Sequence, residues 1–154
     1  MATVTKERRT VHYESLQDLL ADAEQKAAAN ATTVGNWSMG QVFDHLARTM
    51  ECSLDGFQSK LPFYIRWGAK LFKKRILTRP MSPGYKLPKN LAGELDPAET
   101  VDTQEGLERM RNAIARLENE SQRAPSPAFG VMTVEEWNLL HLRHGELHMS
   151  FIVD

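Results

Sequence analysis

The chain has 154 residues, of which 42% are hydrophobic and 25% charged, and 19 basic against 20 acidic residues leave a net charge of −1. A single cysteine, Cys52, excludes an intramolecular disulfide framework and a metal cluster built from thiolates alone. No run of about 18 apolar residues is present and the first nine residues lack an apolar signal region. We therefore expect one soluble, cytoplasmic domain, residues 1–154, with no transmembrane segment.

The first half of the chain shows a helical hydrophobic pattern. After an N-terminal arm, residues 1–12, Ser15 precedes a leucine- and alanine-rich helix. A second helix begins at Ser38, whose spacing to Gln41 is that of a capping box. The apolar stripe of this helix comprises Met39, Phe43, Leu46, Met50, Leu54 and Phe57. Residues 10–13 are compatible with a short extended piece.

Pro62 interrupts the pattern before residues 63–77, which predict a helix that is both aromatic and basic. Residues 79–101 contain four prolines and two glycines. This composition predicts a long connection without a helix or strand of its own.

Two further helices follow. Asp102 and Glu105 predict a capping box for the first, and Thr133 and Glu136 predict one for the last, which we expect to continue to Val153. We find no convincing strand. Because every apolar stripe needs a partner, four long amphipathic helices and one shorter segment predict an all-α, antiparallel four-helix bundle.

Histidines occupy three successive positions on one face of the last helix. Spacings of three and four residues define a seam of the kind that faces a bundle core, made of Val134, Trp137, His141, His144, His148 and Phe151. A buried imidazole without a partner costs about 1–3 kcal/mol, so the seam needs groups that pair with its histidines.

A metal ion would supply that pairing. His144 and His148 lie one helical turn apart and can direct both rings at one ion, at about 2.0–2.1 Å from each nitrogen. His141 is then a third ligand or a neighbour of the site. The alternative is that all three are structural histidines with hydrogen-bond partners. On the second helix, His45 lies about 120° around the axis from the centre of the apolar stripe. A residue at that angle can lie equally well on a half-exposed surface or in the wall of a cleft.

Three segments together resemble the DinB-like and YfiT-like metalloenzyme superfamily, in a bacterial branch of unknown function. They are WSMGQVFDHL at 37–46, RHGELHMSFI at 143–152 and the pattern RRxVxYxSLxDLL at 8–20. The resemblance implies a four-helix bundle that binds one divalent metal through His45, His144 and His148. Many members continue the histidine pair with a basic residue, glycine and glutamine, whereas this chain has Met-Ser-Phe.

By analogy with that superfamily we expect a metal-dependent hydrolase or a thiol-dependent transferase. Nitrogen ligands favour zinc or nickel, with iron or manganese as further candidates. His141 and Cys52 are candidates for lining the site, and we identify no catalytic residue and no residue that binds an organic cofactor. The alternative is a non-catalytic bundle that binds a metal or small ligand, or that dimerises. We expect acceptors beside the metal ligands to fix the imidazole tautomers, and the nearest candidates in sequence are Gln41, Asp44, Glu51 and Glu146.

Positive charge is concentrated in one region. Residues 56–93 contain nine Lys or Arg and no acidic residue, which leaves ten basic and twenty acidic residues elsewhere. Within residues 60–89 the basic side chains alternate with Phe63, Tyr64, Trp67 and Phe72, a pattern of membrane-surface and anionic-ligand segments. We expect instead that the aromatic side chains pack on the bundle. The small negative net charge and the lack of a known motif argue against a nucleic-acid partner. The partners that we expect are a small-molecule substrate and a second copy of the chain.

Overall fold

The computed structural model describes residues 7–154, which form an all-α bundle, as predicted, with one small sheet. The first six residues of the predicted N-terminal arm lie outside the described residues. The elements are α1 (Leu16–Ala28), β1 (Thr32–Thr33), α2 (Met39–Asp55), α3 (Phe63–Thr78), α4 (Lys89–Leu95), α5 (Thr103–Asn119), α6 (Val134–Met149) and β2 (Ile152–Val153). Across residues 7–154, no helix combines the length and apolar character that crossing a bilayer requires.

Side-chain caps begin the main helices. Ser38 and Thr133 each accept a hydrogen bond from the backbone of the third helical residue, and that residue's side chain bonds back to the cap, so both predicted capping boxes are confirmed. The Asp102 side chain accepts from the backbone N–H groups of Gln104 and Glu105. Within the described contacts Glu105 returns no bond, so only half of the third predicted capping box forms.

The core lies between α1, α2, α5 and α6. Leu19, Phe43, Leu46, Met110 and Ile114 are fully buried there. The leucine and methionine spacings seen in the sequence therefore mark the inward faces of these helices.

Two glycines bring the backbones of α2 and α5 into contact. A Cβ atom on Gly106 would lie 2.5 Å from the carbonyl oxygen of Gly40, and one on Gly40 would lie 2.2 Å from that of Val101. Neither contact leaves room for a methyl group, so these positions fix how closely α5 approaches α2.

The last helix is shorter than predicted, and the expectation that the chain has no strand is wrong. Helix α6 ends at Met149, and β2 pairs antiparallel with β1 through Thr32–Val153 and Thr33–Ile152. An apolar run at the end of an amphipathic helix has the same pattern as one more helical turn, which hides a two-residue strand.

The prediction that residues 79–101 contain no element is also wrong. They include the seven-residue α4, in which Leu91 and Leu95 lie one turn apart and pack with Leu61 in a small apolar cluster. Two apolar residues are too few to establish a helical period in the sequence.

The aromatic side chains of α3 do not pack on the bundle, contrary to our expectation. Leu77 is the buried residue of α3, and the smaller apolar residues Ile65, Ala69 and Ile76 make the other packing contacts. Phe63, Tyr64, Trp67 and Phe72 are exposed. The hydrophobic pattern correctly predicts a helix here but does not reveal which of its faces meets the bundle.

Gly106→Ala tests the contact between α2 and α5. The added methyl group has to push the helices apart, so we expect the free energy of unfolding in urea to fall by about 1–3 kcal/mol. Gly68→Ala in α3 is the matched control, because a Cβ atom there meets nothing within 4 Å. Relief of the glycine's backbone entropy should make this control neutral or more stable by about 0.5–1 kcal/mol. Equal stabilities for the two variants would contradict the close contact.

Candidate metal centre

Three histidines from two helices meet in the lining of a cleft. His45 on α2 lies beside His144 and His148 on α6, and one nitrogen from each ring lies within 4.8 Å of the others. The Nε2 atoms of His45 and His144 are 3.0 Å apart. Two nitrogens that share a tetrahedral zinc ion lie about 3.3 Å apart. The structure thus brings together the predicted ligands, and metal binding by them stays a prediction.

Helix α6 has one side that packs on the core and another that faces the cleft. Leu142, Gly145 and Met149 face the core, where a Cβ atom on Gly145 would lie 2.8 Å from the Leu19 side chain. The opposite side presents His144 and His148 to the cleft. His144 and His148 of the predicted seam therefore face a cavity, and a different face of α6 closes the core.

The proton on His45 has a defined position. Its Nδ1 atom lies 2.7 Å from the backbone carbonyl oxygen of Leu95, at the end of α4. Because a carbonyl can only accept, Nδ1 carries the proton and donates it, which leaves the lone pair of Nε2 directed at the other two rings. Histidines that bind metals commonly donate their second N–H to a carbonyl or carboxylate in this way.

Polar side chains of α2 hold the segment that supplies this carbonyl. The Gln41 Nε2 atom donates to the carbonyl oxygens of Ala98 and Glu99 at 3.1 and 2.9 Å, and the Asp44 carboxylate accepts from the Ala98 N–H at 3.2 Å. Gln41 and Asp44 thus bind the backbone just after Leu95, and neither side chain binds an imidazole of the cluster.

Asp44 is itself held by two arginines. It pairs with Arg48 at 2.7 Å and with Arg109 at 2.6 Å, and Arg109 also binds both oxygens of Glu51. Burial alone would raise the pKa of Asp44, but the hydrogen bonds from Arg48 and Arg109 outweigh it and lower the pKa. The carboxylate consequently stays ionised while it positions the backbone.

Glu146, the fourth predicted acceptor, lies on the side of α6 away from the cleft. It accepts from the Tyr13 N–H at 2.9 Å, pairs with Arg143 at 2.8 Å and lies 3.1 Å from His12. Its role is to attach the N-terminal arm to α6. Among residues 7–154, none of the four predicted acceptors bonds to an imidazole of the cluster.

All three cluster imidazoles are held in the neutral form. Burial lowers the pKa of His45, and burial with the nearby His45 lowers that of His148 to about 3. Burial and then the neighbouring rings lower the pKa of His144 well below its ordinary value. Neutral imidazole is the form that binds metal ions, so the nitrogens are available at neutral pH.

The cleft above the histidines has a volume of about 1510 Å³, larger than the 300–1,000 Å³ typical of ligand pockets. Its walls come from α2, α3, α4, α6 and the connection before α4, and are mostly apolar. The charged residues in the lining are Arg75, Arg79, Lys86 and Asp96.

Trp37 is a part of the site whose role the sequence did not reveal. Its ring lies 4.7 Å from that of His45 and stacks on His148 at 5.4 Å, centroid to centroid. It packs against both rings. The tryptophan before the cap of α2 belongs to the motif quoted above, but nothing in its spacing shows contact with α6.

His141 has a different environment from the other histidines of α6. It is buried outside the cleft lining, stacks on Trp137 at 5.4 Å and has its Nε2 atom 2.9 Å from the Ser53 hydroxyl. Ser53 donates its one proton to the Met50 carbonyl oxygen, so its oxygen accepts from His141. The Nε2 atom of His141 therefore carries a proton.

Cys52 also lies outside the cleft lining. Its Sγ atom donates to Glu94 at 3.9 Å, and it packs near Leu91 and Leu95 of α4. Burial, and after it the charge of Glu94, raises the pKa of the thiol to about 11. The sulfur is thus protonated at neutral pH and unsuited to act as a nucleophile.

Comparison with known proteins gives one finding. A family model described as "Protein of unknown function (DUF1569)" matches residues 5–154. Searches among curated proteins and among solved structures found no significant match. Because the family model covers nearly the whole chain, the protein belongs to the DUF1569 family.

Proposed function

We propose that this protein is a DinB-like metal-dependent enzyme that binds one divalent transition metal through His45, His144 and His148 and acts on a small molecule in the cleft. The observation that carries the proposal is the convergence of three imidazole nitrogens within 4.8 Å in the lining of a large cavity. Zinc or nickel suits this donor set best, followed by iron or manganese.

The surroundings of the histidines support a metal better than they support a structural cluster. The rings are neutral, and Leu95 holds the His45 tautomer that leaves Nε2 free to bind. Three protein ligands, rather than four, are typical of catalytic zinc sites, which leave a position open for water or substrate.

A metal held here would lower the pKa of bound water and polarise an electrophile. The chain's own residues contribute orientation and exclusion of water. Trp37 and the carbonyl of Leu95 fix the rings, and the apolar walls limit the solvent that reaches them.

The proposed reaction is hydrolysis or thiol-dependent transfer, and this choice rests on the resemblance to the superfamily. The environment of Cys52 argues against this residue as the thiol in a transfer reaction. Because its thiol is protonated and directed at Glu94, a thiol used in transfer has to arrive with the substrate.

One observation favours the alternative of a non-catalytic metal- or ligand-binding bundle. Among residues 7–154, no carboxylate bonds to the histidine cluster, and Asp96 is the acidic residue of the cleft lining. No general base is therefore hydrogen-bonded to the proposed ligands among these residues, and Asp96 acts on His45 through its charge alone.

Metal content tests the site directly. We expect protein purified without a histidine tag and incubated with zinc or nickel to retain about one equivalent after gel filtration, measured by plasma mass spectrometry. His144→Ala with His148→Ala should retain less than about a tenth of an equivalent, because two of three ligands are lost. His12→Ala removes an exposed imidazole from the N-terminal arm and is the control, with metal content unchanged. Wild type that retains as little metal as the double variant would overturn the proposal.

His141→Ala separates a ligand from a structural histidine. Because its Nε2 atom donates to Ser53, we expect the variant to keep its metal while its free energy of unfolding falls by about 1–3 kcal/mol. Denaturation in urea and metal analysis of the same sample measure both quantities. Loss of metal with unchanged stability would instead assign His141 to the metal site.

Activity assays separate an enzyme from a binding protein. Metal-loaded wild type should catalyse either ester hydrolysis or thiol transfer to an electrophile, and the double histidine variant should be slower by at least about 100-fold. His12→Ala, purified in the same way, should match wild type and so controls for a contaminating activity. Equal rates in wild type and the double variant, with metal bound to wild type, would favour the non-catalytic bundle.

A further inference from the structure

Helix α3 turns its largest apolar side chains toward solvent. Phe63, Trp67 and Leu71 are 81%, 71% and 69% exposed, and their spacing of four residues places them on one face. Tyr64 and Phe72 are also more than half exposed. An amphipathic helix of a globular domain ordinarily buries such a face, so this stripe requires a partner outside the fold.

Contacts on the other face fix the orientation of α3. Ala69 and Ile76 pack near Phe129 and Trp137 in one apolar cluster, and Lys73 forms an ion pair with Glu136 of α6. The helix therefore cannot bury the stripe by rotating about its axis without losing these contacts.

Positive charge borders the stripe. At 100° per residue, Arg66 and Lys70 lie along one edge and Arg75, which also lines the cleft, along the other, with Lys74 at the C-terminal end. Among residues 7–154, none of these four cations has an acidic group within ion-pair distance, although most arginines of the bundle are paired. The surrounding residues 56–93 supply no acidic residue to compensate them.

We propose that α3 docks this protein on an anionic membrane surface, lying in the plane of the bilayer. The stripe of Phe63, Trp67 and Leu71 enters the interface, and the bordering lysines and arginines contact the phosphate groups. This arrangement combines the two contributions on which interfacial helices depend, burial of apolar area and attraction to anionic lipid. The long basic side chains can cover apolar surface with their stems and keep their charges among the headgroups.

The same charges argue against other partners. A symmetric dimer through α3 would bring two cation-rich segments together with no carboxylate of residues 56–93 between them. A nucleic acid would satisfy the cations, but it would leave the exposed leucine and phenylalanine beside a charged backbone, and the rest of the chain carries an excess of ten acidic residues. An anionic bilayer accommodates both the charge and the apolar stripe.

Vesicle sedimentation tests the proposal with the whole protein. We expect binding to vesicles of phosphatidylcholine that contain about 30% phosphatidylglycerol, weaker binding at high salt, and none to phosphatidylcholine alone. Trp67→Ser with Leu71→Ser, and separately Lys70→Glu with Lys74→Glu, should each reduce the partition coefficient by at least about tenfold. Val131→Ser is the control, because Val131 is 84% exposed but lies outside α3. Circular dichroism checks that each variant is folded.

Tryptophan fluorescence gives an independent measure of insertion. Trp67 is exposed, whereas Trp137 is buried and Trp37 is half-buried against the histidine rings. Anionic vesicles should therefore shift the emission of wild type to shorter wavelength and leave that of Trp67→Phe unchanged. Absence of binding to anionic vesicles, or equal binding by all variants, would overturn the proposal. The proposal would also be overturned if the protein did not bind vesicles but formed a dimer that Trp67→Ser dissociates. The stripe would then be the contact between two copies of the chain.

Discussion

The direct backbone contact between α2 and α5 determines which way α2 faces. Gly40 and Gly106 let the two helices approach until their main chains touch, and Phe43 is buried at this junction. Because that face of α2 packs on α5, the flank that carries His45 faces α6 and the end of α4. The backbone contact between α2 and α5 thus directs the His45 imidazole into the cleft, although neither glycine takes part in the candidate metal centre.

The three candidate ligands come from two helices, and their side chains are held in place in two different ways. His144 and His148 are fixed relative to each other by a single helical turn, which any regular helix supplies. His45 comes from a different helix, and its ring depends on the carbonyl of Leu95 at the end of α4. Gln41 and Asp44 bind Ala98 and Glu99 in the connection after α4, so the carbonyl and the ring belong to one packed unit.

The sequence predicted most of what local periodicity and capping determine. Helices α1, α2, α3, α5 and α6, the caps at Ser38 and Thr133, and the pairing of His144 with His148 all follow from spacings within one element. It could not predict what depends on contacts between elements. The convergence of His45 with α6 came from the family resemblance, since a flank position says nothing about its neighbour. The contact of His45 with the Leu95 carbonyl could not be predicted because every residue has a backbone carbonyl, whatever its side chain. The exposure of the α3 stripe could not be predicted because periodicity identifies an apolar face without showing whether that face meets the bundle or the solvent.

The identity of the Leu95 acceptor has a consequence for how this family can vary. A main-chain carbonyl survives any replacement of its side chain, so position 95 can change residue without removing the bond to His45. An insertion or deletion between Leu95 and Glu99 is different, because it displaces the backbone groups that Gln41 and Asp44 bind and with them the carbonyl beside the ring. Natural variation in this connection should therefore be permissive in composition and strict in length.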